Sequence, residues 1–237
     1  MEPTIYKPGA NKSPGIYNCA GGIYKGSGVY NYGAGVSPVP PIPPEYQLVE
    51  YIKLFNRTTI NTGVKFLLND TLYAKLRYFN YTAERYNVIF GSRTSSGNPD
   101  QFTIFGKREN VEQITLTEGV HYGLLVSSIP NDSFKIICTK DYVEVLNNEE
   151  QIIGSYNIVN RSWTGCVENM YIAQVNDNMD QCSNLYMYEF VIKDENNEDK
   201  LHLYPVKRIL DNVFGAYDVV NNRFLTQAQG GPILGPT

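Results

Sequence analysis

Few residues of this chain combine a reactive type with a useful spacing. His121 and His202 stand alone, without a Ser or Cys partner in any nucleophile motif, and two histidines are too few for a His-rich metal centre. Cys19, Cys138, Cys166 and Cys182 form no C-x-x-C pair and have no nearby His, against the usual zinc patterns. They read as reduced thiols of a protein made in a cytoplasm, with Cys166–Cys182 the one pair a bridge would join. Retaining glycoside hydrolysis needs two carboxylates about 5–5.5 Å apart. On a strand that means alternate acids, and no such run is present. The densest acidic cluster, Asp194-Glu195 with Glu198-Asp199 in KDENNEDK, reads as an exposed turn with solvated charges. Asp177, Asn178 and Asp180 in NDNMD offer oxygen ligands of the kind calcium takes. That loop lacks the glycine and distal Glu of an EF-hand, and Asx-rich loops are ordinary turns. No cofactor, no metal and no enzymatic activity are expected.

The elements that must position any site show in the periodicity. From Tyr46 onward the apolar period is two almost throughout. In TLYAKLRYF (71–79), Leu72, Ala74, Leu76 and Tyr78 share one face, with Tyr73, Lys75 and Arg77 on the other. SFKIICTK, DYVEVLN, VENMYIAQV and NLYMYEFVI repeat the behaviour, and turn clusters such as SSGNPD, IPNDS, NNEE and ENNED separate them. Short alternating segments between frequent turns predict antiparallel sheets with one buried face, hence an all-β sandwich. The composition holds 19 Tyr against one Trp. Tyr suits both strands and half-apolar interaction surfaces. The net charge of −4 argues against a general nucleic-acid binder. No apolar run approaches the roughly 18 residues of a membrane span, and MEPTIYKPG lacks the basic and apolar regions of a secretory signal.

The first 45 residues differ. Gly, a β-branched residue and Tyr recur at 15–17, 22–24 and 28–30, after an Ile5-Tyr6 pair. Each unit offers too little apolar surface for a core of its own. The pairs Ile5/Tyr6, Ile16/Tyr17, Ile23/Tyr24 and Val29/Tyr30 suit an extended arm that orders against a partner or against copies of itself. SPVPPIPP then holds five prolines in eight positions, a stiff polyproline spacer of roughly 20–25 Å. The expected organisation is an attachment arm over 1–36, a spacer over 37–45 and a sandwich over 46–237.

Two segments carry a resemblance. YQLVEYIKLFNRTTINTGVK (46–65), with its Thr59-Ile60-Asn61-Thr62-Gly63 turn, resembles the opening strands of bacteriophage domains of the laminin-G-like, concanavalin A-like jelly-roll superfamily. LYPVKRILDNVFGAYDVVNNRFLTQAQGGPILGP (203–236) resembles their close, through Pro205, Lys207-Arg208, Asp211, Val213, Gly215, Tyr217-Asp218, Asn222, Phe224 and the final Gly-Pro. Without the family, the same residues predict a tight turn at Asn221-Asn222, cross-strand packing of Tyr217 on Phe224 and a local Arg208–Asp211 ion pair.

The resemblance implies an antiparallel jelly-roll sandwich on a virion, assembled in the host cytoplasm. It implies a short capsid (head) fibre or decoration protein anchored by its arm on other virion proteins, with a small tail appendage as the neighbouring reading. The fibre analogy implies association with copies of itself, as a trimer rather than a dimer. It also implies sugar binding through aromatic faces, which makes a carbohydrate-binding adhesin for host surface glycans the alternative. The candidate residues are Trp163 with Arg161 and Asn160 in NRSWTGC, and a second patch of Tyr81, Tyr86 and Arg93. The single Trp equally suits a half-buried core position.

Overall fold

The computed structural model describes residues 17–19, 22–24, 42–79, 86–94, 100–109, 111–119, 121–158, 163, 165–175 and 183–236. The chain divides into two compact units, Met1–Val39 and Pro40–Thr237. In the first, β1 (Tyr17–Cys19) and β2 (Gly22–Tyr24) pair antiparallel, with Tyr17 opposite Tyr24 and Cys19 opposite Gly22. Tyr17 and the Gly22–Tyr24 unit of the Gly-Ile-Tyr repeat thus belong to a two-stranded antiparallel pair. Ile5, Tyr6, Ile16, Val29 and Tyr30 lie outside the described residues.

The second unit is the expected antiparallel jelly-roll sandwich. The larger sheet runs β13 (Ile152–Asn157), β12 (Tyr142–Leu146), β11 (Phe134–Cys138), β6 (Thr71–Tyr78), β15 (Leu185–Lys193), β16 (Asp199–Arg208), β17 (Phe214–Asp218) and β18 (Arg223–Leu225). β3 (Tyr46–Leu48) adds to β16, and β4 (Ile52–Leu54) adds to β15. The smaller sheet runs β10 (His121–Val126), β9 (Val111–Glu118), β8 (Phe102–Arg108), β7 (Asn87–Ser92), β14 (Tyr171–Ile172) and β5 (Ile60–Asn61). All pairings are antiparallel.

Alternation explains which sheet face is buried. β6 buries Leu72, Ala74, Leu76 and Tyr78 and turns Tyr73, Lys75 and Arg77 outward. β11 buries Phe134, Ile136 and Cys138, and β12 buries Val143 and Val145. The inner faces of the two sheets share one apolar core, within which Phe90 of β7 meets Phe190 of β15 edge-on at 5.5 Å. Each such side chain, fully buried, contributes roughly 1.5–3 kcal/mol.

Two elements depart from simple alternation. β7 and most of β8 are buried on both faces, because Val88, Phe105 and Val175 form a second small cluster with Tyr86. β15 shifts phase through a bulge between Met187 and Glu189, so its inward residues are Leu185 and Met187, then Phe190 and Ile192. Tyr188 and Glu189 are then neighbours in sequence that both remain partly exposed.

The end of the proline run belongs to the sandwich. Ile42 is buried with Val206 and Tyr217, and Tyr46 N–H donates to the Pro43 carbonyl at 2.9 Å in a turn. Of the stretch 37–45 expected as a stiff spacer, Ile42 packs on the large sheet and the Glu45 carbonyl accepts from Ile209 N–H at 2.9 Å. The closing segment behaves as its residues predict. Arg208 donates twice to Asp211, at 3.0 and 2.6 Å. Tyr217 pairs opposite Phe224, and Asn222 takes φ 49° in the connecting turn. Asp218 organises that turn from full burial, accepting from Asn221 Nδ2 at 2.8 Å and Arg223 Nε at 2.9 Å.

Candidate functional site

The outward side chains of β4, β6 and β15 build a single surface. β15 lies between β4 and β6, and the registers place Tyr186 opposite Lys53 on one side and Arg77 on the other. Lys53 Nζ stands 5.8 Å from the Tyr186 ring centroid, and the Arg77 guanidinium carbon is also 5.8 Å away. Around this row, Tyr51 meets Tyr186 edge-on at 4.7 Å and Tyr188 at 5.7 Å, while Phe79 packs on Tyr186 at 4.2 Å. Lys75 Nζ lies 5.6 Å over the Tyr188 ring. The period of two sends these residues outward together, Tyr186 and Tyr188 included, and the bulge adds Glu189 beside them.

The aromatic texture continues along this sheet. Tyr73 lies under Lys135 Nζ at 5.9 Å, and Tyr204 stacks on His202 at 4.4 Å. Tyr46 packs on Tyr217 at 4.8 Å and on Phe224 at 5.2 Å, beneath the docked Ile42 segment. Much of the tyrosine excess is thus placed on one face of one sheet. The phenols there resist ionisation. Burial raises Tyr51 and Tyr188, with Glu50 nearby adding to the effect and Arg77 opposing it. Burial, then the charges of Glu189 and Glu150, pushes Tyr73 well above the ordinary phenol value. At neutral pH all three are neutral rings with a polar tip, able to pack and to hydrogen-bond at once.

A polar cluster adjoins the patch. His202 Nε2 lies 2.8 Å from Glu189 Oε1, and its Nδ1 lies 3.0 Å from Asp199 Oδ2. Lys193 Nζ reaches Asp199 Oδ1 at 2.6 Å. Burial raises the Asp199 carboxyl, but the bonds from Lys193 and His202 outweigh it and hold the group below its usual range. Both imidazole nitrogens face carboxylates, so neither is open to a substrate proton, and the arrangement clamps β15 to β16. KDENNEDK is therefore only partly a solvated turn. Asp194 caps it through Asn196 N–H and Glu198 N–H, both at 2.9 Å, whereas Asp199 belongs to this clamp.

The sequence-selected residues fall elsewhere. Trp163 is buried, packed against Phe66 at 5.6 Å and Phe102 at 5.5 Å within the main core. Its indole offers no face to a pyranose, which corrects its selection as a sugar platform and deepens the half-buried alternative into full burial. Tyr86 precedes β7, packed 6.1 Å from Phe105, and Arg93 follows β7, buried, with desolvation lowering its pKa. Six strand residues put them roughly 20 Å apart, too far to act as one patch. Asn160, Arg161, Tyr81, Asp177, Asn178, Asp180 and Cys182 lie outside the described residues. Cys166 is a buried free thiol, its pKa pushed up to about 12 chiefly by burial. The residues that sequence reasoning missed are Tyr51, Lys53, Lys75, Arg77, Tyr186 and Tyr188. Their signal was present in YIKL, YAKLRYF and LYMYE as aromatic and basic residues at the outward positions of three segments.

No family model and no curated protein matches this sequence. Among solved structures the chain is similar to the native heptameric SAP-like pentraxin of Limulus polyphemus, with 11% identity and TM-score 0.39, over 75% of this chain and 88% of that one. It is also similar to domains LG4-5 of the mouse laminin alpha1 chain, with 12% identity and TM-score 0.40, over 78% of this chain. Of that laminin chain it covers 49%, about half its length.

Proposed function

We propose that this chain is a non-catalytic display module, a sandwich that binds host surface glycans through the outward face of its large sheet. The observation that carries the reading is the row Lys53–Tyr186–Arg77 with Tyr51, Phe79 and Tyr188 around it. Half-exposed rings offer apolar faces to the C–H side of a sugar, while phenol and cationic groups beside them meet hydroxyls. The test is a glycan array probed with full-length protein and with Tyr186→Ala. Ligands bound by the first and lost by the second support the reading. An array with no ligand above background for folded protein removes it.

The setting we propose is a bacteriophage virion surface, as a short head fibre or decoration protein or a small tail appendage. This part rests on the likeness of residues 46–65 and 203–236 to phage jelly-roll domains and on the composition of the arm. The Gly-Ile-Tyr pairs would dock on capsid proteins and on copies of the chain, in the host cytoplasm, with the trimer of the fibre analogy. Deleting residues 1–36 tests it: particles assembled without the protein, with the sandwich still folded, are expected. Normal incorporation of the truncated protein would refute the anchoring role.

A further inference from the structure

Resting on the glycan reading above, we infer that the Tyr186 face selects an acidic saccharide, one carrying carboxylate or sulfate groups. The argument is the state of the cations. Several basic residues elsewhere on the sandwich are matched, Lys135 with Glu150, Lys193 with Asp199, Lys200 with Asp70, Arg208 with Asp211 and Arg223 with Asp218, while Lys65, Arg108 and Lys207 enter no ion pair among the described residues. Among the described residues, Lys53, Lys75 and Arg77 enter no ion pair. Arg77 uses its Nε on the Asn131 carbonyl at 3.0 Å, which orients the guanidinium without neutralising it. Glu189 faces Lys75 in the strand register, yet His202 Nε2 holds its carboxylate at 2.8 Å. Glu50 stands near Tyr51 and Tyr188 as the acidic neighbour of the patch.

Three cations without an ion pair among the described residues thus gather on one face of a chain whose net charge is −4. Glu189 and Glu50 are the acidic neighbours on the Lys75 and Tyr51 side, and Lys53 and Arg77 flank Tyr186. Neighbouring strands lie about 4.8 Å apart, which sets Lys53 and Arg77 roughly 10 Å apart with the Tyr186 ring between them. A sugar stacked on that ring has a cation at each flank. Charge-assisted bonds from those cations would be the strong polar contacts of the complex. A neutral sugar would use the rings and leave the cations unpaired. An acidic peptide would meet the cations, but it lacks the flat C–H faces that the exposed rings match.

The experiment is calorimetric titration of the full chain with matched saccharides: uronate, sialylated and sulfated oligomers, each beside its esterified, desialylated or desulfated form. At least one acidic form is expected to bind about tenfold or more tighter than its neutral partner, with the difference shrinking as salt rises. The double variant Lys53→Gln/Arg77→Gln is expected to lose that difference and keep the weaker neutral binding, with unchanged circular dichroism. Tyr186→Ala is expected to lose both. Equal affinity for acidic and neutral forms overturns the selectivity and leaves the glycan reading standing. Absence of binding to every saccharide overturns both, and a poly-glutamate peptide binding as tightly as the acidic sugars overturns the saccharide assignment.

Discussion

Tyr186 on β15 and Arg77 on β6 stand directly opposite each other, with the guanidinium carbon 5.8 Å from the ring centroid. The pair is a cross-strand cation–π contact on an open face, of a kind worth about 0.5–1 kcal/mol. A double-mutant cycle of Tyr186→Ala and Arg77→Ala, read by urea unfolding, is expected to return a coupling energy of about that size. Arg77→Ala alone should cost little, because the residue is exposed. A coupling near zero would show that the two side chains share a place without interacting.

Trp163 answers to a different environment. Buried between Phe66 and Phe102, it is expected to cost about 3–5 kcal/mol when replaced by Ala. Trp163→Phe should retain most of that stability. Denaturant unfolding measures the loss, and any saccharide affinity of the refoldable Phe variant should match wild type. A selective loss of binding with stability intact would return Trp163 to the site.

Alkaline pH tests Tyr73. Burial and the charges of Glu189 and Glu150 raise its pKa in the folded protein, while the unfolded phenol ionises near 10. Below about pH 10 both states are protonated and stability does not change on its account. As pH rises past about 10 the unfolded chain releases the proton first, so stability falls until the folded pKa is reached. Tyr73→Phe removes this loss and should stay folded to higher pH than wild type, as followed by circular dichroism through an alkaline titration. Identical alkaline midpoints would contradict the raised phenol.

Gly215 is part of the closing signature, and its reason is spatial. A Cβ added there would sit 2.4 Å from the Leu225 carbonyl oxygen and 2.7 Å from the Phe224 ring. Backbone cannot yield as a side-chain tip does, so Gly215→Ala must displace β18 from β17. The expected cost is about 1–3 kcal/mol, measured by thermal unfolding, with the β17–β18 amides losing most of their protection from hydrogen exchange. An unchanged transition would mean that β18 gives way freely.

What the sequence determined by itself is local and periodic. Leu72, Ala74, Leu76 and Tyr78 alternate with Tyr73, Lys75 and Arg77, and no register of that segment buries both sets. The Arg208–Asp211 pair and the Asn222 turn follow from residues two or three positions apart, where chain geometry leaves little choice. Tertiary structure decided everything that depended on which segments became neighbours. NRSWTGC looks like an open loop, yet Phe66 from the connection between β5 and β6 and Phe102 from β8 arrive to bury Trp163. Ile42 sits among prolines, yet it docks against Val206 and Tyr217. The bulge at Met187–Glu189 breaks a pattern that reads as unbroken alternation, and it turns Glu189 toward His202, 13 positions away. The tyrosine and cation face has the same origin. Tyr51, Arg77 and Tyr186 were each legible as outward residues, but only the pairing of β4, β15 and β6 makes three separate stripes into one surface. Strand pairing is a long-range choice settled by the summed burial of both sheets, and no stretch of local sequence encodes it.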